Sequence, residues 1–345
     1  MKQLIKPRYL RKGDTIGIVS PSAPLAGLFP HRTKRAIEAI KALGFRVKLG
    51  RYALKVTGYT AGDPKERAED INSFFKDKKI KAIISFIGGN HSNQILRYLK
   101  FDLIKKNPKI FLGYSDISVL HFALYTQARL VSFYGPAALT QFAEYPKIFS
   151  YTQDYFEKAI MIPSPIGKIE PSSHWTDEIL DWKKRESSKR TRKLKKNTGW
   201  QWIKPGKAEG PILGGCLPSI VHLRGTKYWP DFTNSIFFWE IPESECNFKK
   251  GESIEEVDAY LTDLELSGVF NKIKGMLIGR PFRYTKKQTH QLIHLIEKKM
   301  KYYDFPILFN VDIGHTDPMI TIPLGVKIKI DSNKNIFEFI EKGVV

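Results

Sequence analysis

Apolar residues recur in short unbroken runs along the first half of the chain, and each run is followed by a stretch with helical spacing. "DTIGIVSPSAP" is such a run, closed by a Ser/Pro turn. "HRTKRAIEAIKALGF" then carries Ile37, Ile40 and Leu43 on one helical face, with Gly44 placed as a C-cap. "KERAEDINSFFKD" predicts a second amphipathic helix. "IKAIISFIGGN" predicts a buried strand that breaks at two glycines before a helix over "HSNQILRYLK". "KIFLGYSDISVLH" repeats this pattern, its apolar run stopping at Gly113 and a helix following Ser115-Asp116, and "LVSFYGPA" predicts the next strand. Wholly apolar strands alternating with helices indicate a parallel sheet covered on both faces. The amino-terminal part is therefore expected to be a Rossmann-like α/β domain.

The pattern weakens from about Ile162 to Gly206, a stretch that includes Pro163, Pro165 and Pro171 and four of the six tryptophans, Trp175, Trp182, Trp200 and Trp202. Beyond it come "GPILGGCLPSIVHL", the strand "SIFFWE", the helix "SIEEVDAYLTDLELSG", the strand "IKGMLIGRPF" and a helix around Gln288 to Met300. The chain ends in what reads as a hairpin. This predicts an α+β carboxy-terminal domain, the smaller of two. The expected division is 1–165, a connecting segment or lid over 166–206, and 207–345.

A chain of 345 residues exceeds what one core usually supports. The 42% hydrophobic content is that of a folded protein, and no run is long enough to span a membrane. The basic amino terminus lacks the apolar run of a secretory signal, which leads us to expect a cytoplasmic protein. Cys216 and Cys246 are too few for a disulfide framework and lack zinc-site spacing. The net charge of +21 raises nucleic acid, anionic lipid or an acidic small molecule as partner. Residues 183–196, "KKRESSKRTRKLKK", carry a net +8 of this, and the rest is diffuse. That distribution ranks nucleic acid well below a small anionic ligand.

Ligands in parallel α/β sheets bind beyond the carboxyl ends of the strands. Gly88-Gly89-Asn90 and Gly113-Tyr114-Ser115-Asp116 both sit at such ends. Ser115 is either a helix N-cap or a nucleophile raised on a sharp turn. A serine nucleophile needs a base and a carboxylate to orient that base. Most of the eight histidines fall within or beside predicted helices, and His290 with His294 reads as a solvated helix face. His315 in "VDIGHTDP" instead follows a buried strand and a glycine. Glu240 ends the apolar strand "SIFFWE", as a strand-end solvating group or as an oriented acid.

"FLGYSDIS", "FYGPA", "IGGN", "KAEGPILGG", "FFWE" and "DIGHTDP", in this order, resemble the LD-carboxypeptidase family of serine peptidases over nearly the whole chain. That family includes cytoplasmic muramoyltetrapeptide carboxypeptidases and microcin C self-immunity proteins. The resemblance implies a Ser-Glu-His triad at Ser115, Glu240 and His315, in a cleft between the two domains. It implies an oxyanion hole from the N–H groups of Gly89 and Asp116, and no metal or other cofactor. It also implies a homodimer acting on an amide next to a free carboxylate, in a peptidoglycan tetrapeptide or a peptidyl-nucleotide. Gly88, Asn90 and Cys216 are expected at the substrate, Cys216 standing where the family usually has asparagine. "NTGWQW" resembles the self-immunity branch, in which a loop aromatic stacks on the nucleobase. Trp200 and Trp202 are the candidates, and packing at an inter-domain seam is the other reading for both. A binding protein that kept the cleft but lost turnover is the alternative from a different class.

Overall fold

A computed structural model describes residues 3–244 and 247–345, so Cys246 lies outside the described residues. It contains two main sheets. In the first, the spatial order is Ile322–Pro323, Phe133–Tyr134, Ile110–Gly113, Ile80–Ser85, Thr15–Val19, Arg46–Leu49. All neighbours run parallel except the first pair. The strands Ile80–Ser85 and Ile110–Gly113 are buried at nearly every position, as continuous apolar runs require when helices cover both faces. The edge strand Arg46–Leu49 instead alternates exposed and half-buried residues.

The amphipathic helices form where spacing predicts them. Pro30–Ala42 buries Ala36 and Ile40, and Pro64–Lys76 starts on a capping box between Asp63 and Glu66. Ser92–Tyr98 is a 3-10 helix, and the expected strand over "LVSFYGPA" is reduced to Phe133–Tyr134.

The second sheet has the order Gly167–Lys168, Ile336–Phe339, Lys327–Asp331, Lys207–Cys216, Ile236–Glu240, Gly275–Gly279, Ile307–Val311, Gln201–Lys204. Its four inner strands from Lys207–Cys216 to Ile307–Val311 are parallel, and the flanking ones antiparallel. Lys327–Asp331 and Ile336–Phe339 form the terminal hairpin.

One buried cluster runs from Ile16 and Leu112 of the first sheet to Phe238 and Leu308 of the second. Full burial of each such side chain stabilises by about 1.5–3 kcal/mol. The two sheets thus share a core, and their strand ends Ile110–Gly113 and Ile236–Glu240 are fixed relative to one another. No helix of the described residues is long and apolar enough to cross a membrane.

Candidate active site

Ser115 follows the buried strand Ile110–Gly113 and has a backbone φ of 64°, the left-handed region. A non-glycine residue held there costs on the order of 1–3 kcal/mol and persists only where its surroundings impose it. Here the Ser118 hydroxyl donates to the Ser115 carbonyl at 2.6 Å, and the buried His121 ring bridges the Gly113 carbonyl and the Ser132 hydroxyl. A side chain at Gly88 would place its Cβ 2.8 Å from Ser115 Cβ, so only glycine lets that loop cross the corner. The Ser115 hydroxyl points at His315 Nε2, 3.0 Å away.

Gly314 and His315 follow the strand Ile307–Val311, and Glu240 ends its sheet-mate Ile236–Glu240. His315 Nδ1 bonds to Glu240 Oε2 at 2.7 Å. A Cβ on Gly314 would lie 2.3 Å from that oxygen, and its φ of 95° also favours glycine. Glu240 is fully buried, and its other oxygen accepts from the Tyr134 hydroxyl at 2.6 Å. Burial works against a charged imidazole, but the Glu240 carboxylate, with smaller contributions from Glu243 and Asp317, raises His315 to about 9.

Asp116 Oδ2 accepts from the backbone N–H groups of both His91 and Ser92 at 2.9 Å. It thereby ties the loop bearing Gly88, Gly89 and Asn90 to the residue after Ser115. Cys216 pairs in register with Glu240, and its N–H donates to the Ser118 hydroxyl. Burial, then the neighbouring Glu240, pushes its thiol well above the usual value. Cys216, Glu240 and His315 hold potential metal-ligand atoms within 4.8 Å of one another, but the imidazole and carboxylate already occupy each other.

These groups open into a cleft of about 640 Å³. Gly88, Gly89, Asn90, Ser115, Cys216 and His315 line it, and so do Arg32 and Trp182. Trp200 and Trp202 do not. The strand Gln201–Lys204 is drawn to the far edge of the second sheet by pairing with Ile307–Val311. Trp200 packs near Phe337, and Trp202 Nε1 donates to Asn335 Oδ1 at 2.9 Å. The cleft aromatic from the connecting segment is Trp182, with the Arg32 guanidinium 4.2 Å over its ring and Phe29 edge-on at 5.4 Å.

Three of the nine cations in the basic run form ion pairs among the described residues. Arg190 pairs with Glu178 and Lys195 with Asp177, while Arg192 bridges Glu144 and Asp317. Sequence reasoning missed Tyr134 and Asp317. Both lie inside the quoted motifs "FYGPA" and "DIGHTDP", the only clue to them.

The LD-carboxypeptidase N-terminal domain matches residues 16–135 and the C-terminal domain residues 209–330. The chain is 33% identical to the microcin C7 self-immunity protein MccF of Escherichia coli, over 95% of this chain and 93% of that one. It is 28% identical to the probable murein peptide carboxypeptidase of Bacillus subtilis, over 98% and 95%. The solved structure of MccF in complex with glutamyl sulfamoyl guanosine superposes with a TM-score of 0.91 at 31% identity, over 99% of both chains. The chain belongs to the LD-carboxypeptidase family and is a serine-type carboxypeptidase.

Proposed function

We propose that Ser115 is the nucleophile, His315 its general base and Glu240 the acid that orients the base. The observation that carries this reading is the chain of contacts from Glu240 through His315 to the Ser115 hydroxyl, at 2.7 and 3.0 Å. Ser115 Oγ attacks the scissile carbonyl carbon, and its proton passes to His315 Nε2. The N–H groups of Gly89 and Asp116 receive the oxyanion. When the tetrahedral intermediate collapses, the C–N bond breaks and the leaving nitrogen takes the proton from His315. Water, deprotonated by His315, then cleaves the acyl ester and restores Ser115.

The substrate in this reading is an aminoacyl- or peptidyl-nucleotide. Trp182 in the cleft lining supports aromatic contact with a base, and Arg32, packed over one face of its ring, suits an anionic leaving half. The complex of MccF with glutamyl sulfamoyl guanosine supports the same class. A second reading, favoured by similarity to the murein peptide relative, is cleavage of the L,D-bond of a peptidoglycan tetrapeptide, whose terminal carboxylate would take the anionic place. From the family, the same reading takes the enzyme to be a cytoplasmic homodimer with units at 1–165, 166–206 and 207–345, which sedimentation, cell fractionation and limited proteolysis would test.

Incubation with glutamyl sulfamoyl adenosine and with a muropeptide tetrapeptide, followed by mass spectrometry, tests the function. Release of glutamate and the sulfamoyl nucleoside is the expected result. Cleavage of the tetrapeptide alone would select the second reading, and an absence of products from both would overturn the proposal.

A further inference from the structure

The cleft contains a carboxylate that the triad does not use. Glu243 lies three residues past Glu240, in the short antiparallel pair of Glu243–Ser244 with Asn247–Gly251. Its Oε2 is 3.9 Å from His315 Nε2, and its side chain is 29% exposed and lines the cleft. Several of the other charged groups there have ionic partners, while Arg32 and Lys183 form no ion pair among the described residues. Arg192 is held between Glu144 and Asp317, Glu178 by Arg190, and Arg32 by the Leu139 carbonyl and the Trp182 ring. Among the described residues no lysine or arginine forms an ion pair with Glu243; its charged neighbour is His315 itself. Cys216, also on this wall, supplies no positive charge.

A carboxylate this close to the attacking pair bears on what sits beside the scissile carbonyl. An ammonium there would find an acceptor held within one amino acid's reach of the attacked carbon. We propose that Glu243 forms an ammonium subsite, binding a positively charged nitrogen on the acyl half of the substrate. This rests on the serine-hydrolase reading above, and it divides the cleft into a cation-binding acyl side and an anion-binding side at Arg32. Two substrates carry that nitrogen: an aminoacyl-nucleotide in its free α-ammonium group, and a tetrapeptide in a basic side chain at its third residue.

The test uses equilibrium binding to the full chain carrying Ser115→Ala, with Glu243 either kept or replaced by glutamine. One pair of ligands is alanyl sulfamoyl adenosine and its propionyl analogue, which lacks only the ammonium group. The second pair is a tetrapeptide with lysine at position three and the same peptide with norleucine. At pH 7 we expect Glu243→Gln to lower the affinity ratio of charged to uncharged ligand roughly ten- to a hundred-fold in the arm that carries the recognised nitrogen, the effect of one charge-assisted hydrogen bond. Any influence of Glu243 on His315 is common to both members of a pair and cancels in the ratio. Glu243→Asp should retain part of the preference. Ratios unchanged by Glu243→Gln in both arms would overturn the subsite. Turnover of the same ligands by the unsubstituted protein tests the hydrolase reading separately, so the two failures are distinguishable.

Discussion

The Tyr134 hydroxyl donates to Glu240 Oε1 at 2.6 Å and so gives a donor to the oxygen of that buried acid which His315 does not contact. Tyr134 belongs to the first sheet and Glu240 to the second, so this bond crosses the shared core and fixes the carboxylate plane. Tyr134→Phe leaves a buried carboxylate short of one donor. It should lower stability by about 1.5–3 kcal/mol. In the proposed mechanism kcat falls while KM changes little, because the tyrosine orients the acid and does not line the cleft. Thermal denaturation and steady-state kinetics on the same preparation check both parts.

The pH dependence follows from His315. Glu240, Glu243 and Asp317 all face the imidazole and favour its charged form, against the effect of burial. A base must be neutral to accept the serine proton, so kcat/KM should rise with pH through about 9. Stability runs the other way. A histidine raised above its unfolded value of 6.5 contributes stability that is fully present below that value and is lost as pH rises through about 9. Glu243→Gln should move the activity limb to lower pH, because it removes one of the negative charges holding the proton. A pH–rate profile with an unchanged midpoint in that variant would contradict the assignment.

Trp182 and Trp200 separate a binding role from a packing role. Trp182→Ala should weaken nucleotide-containing substrates by about 1–3 kcal/mol and purely peptidic ones much less. Trp200→Ala removes a ring packed against the core near Phe337. It should lower the melting temperature and affect all substrates alike. Paired measurements of kcat/KM on one nucleotidyl and one peptidyl substrate distinguish these outcomes.

Asp116 offers a further test. Its carboxylate holds the N–H groups of His91 and Ser92, and that loop carries Gly89. Asp116→Ala should release the loop and cost about 10² in kcat, approaching loss of an oxyanion donor. Asp116→Asn keeps one acceptor oxygen and should lose less. Equal and small losses in both variants would remove the loop from the mechanism.

Much of the fold was legible because buried parallel strands are unbroken apolar runs, as at Ile110–Gly113 and Ile236–Glu240. Arg46–Leu49 was not, since as an edge strand it keeps polar residues in solvent. The strand-end glycines and the family motifs drew attention to Ser115, Glu240 and His315, and the structure places these three in contact. Of the two readings left open for Trp200 and Trp202, the structure shows packing and not the cleft, because their position depends on pairing with Ile307–Val311, about a hundred residues further on, which local pattern does not encode. The sequence indicated that an aromatic of the connecting segment mattered, and the packing of Arg32 against Trp182 decides which one reaches the cleft. Glu243 carried no sequence signal, because its meaning depends on its distance to His315.

The central claim is that Ser115 and His315 act as one nucleophilic unit. Its most direct test is kcat for hydrolysis of glutamyl sulfamoyl adenosine by Ser115→Ala, His315→Ala and the double variant, each checked for an unchanged fold. We predict a loss of roughly 10⁴- to 10⁶-fold in each single variant and no further loss in the double, since members of such a unit are not additive. Turnover near the parent level in Ser115→Ala, or losses that multiply in the double variant, would contradict the account.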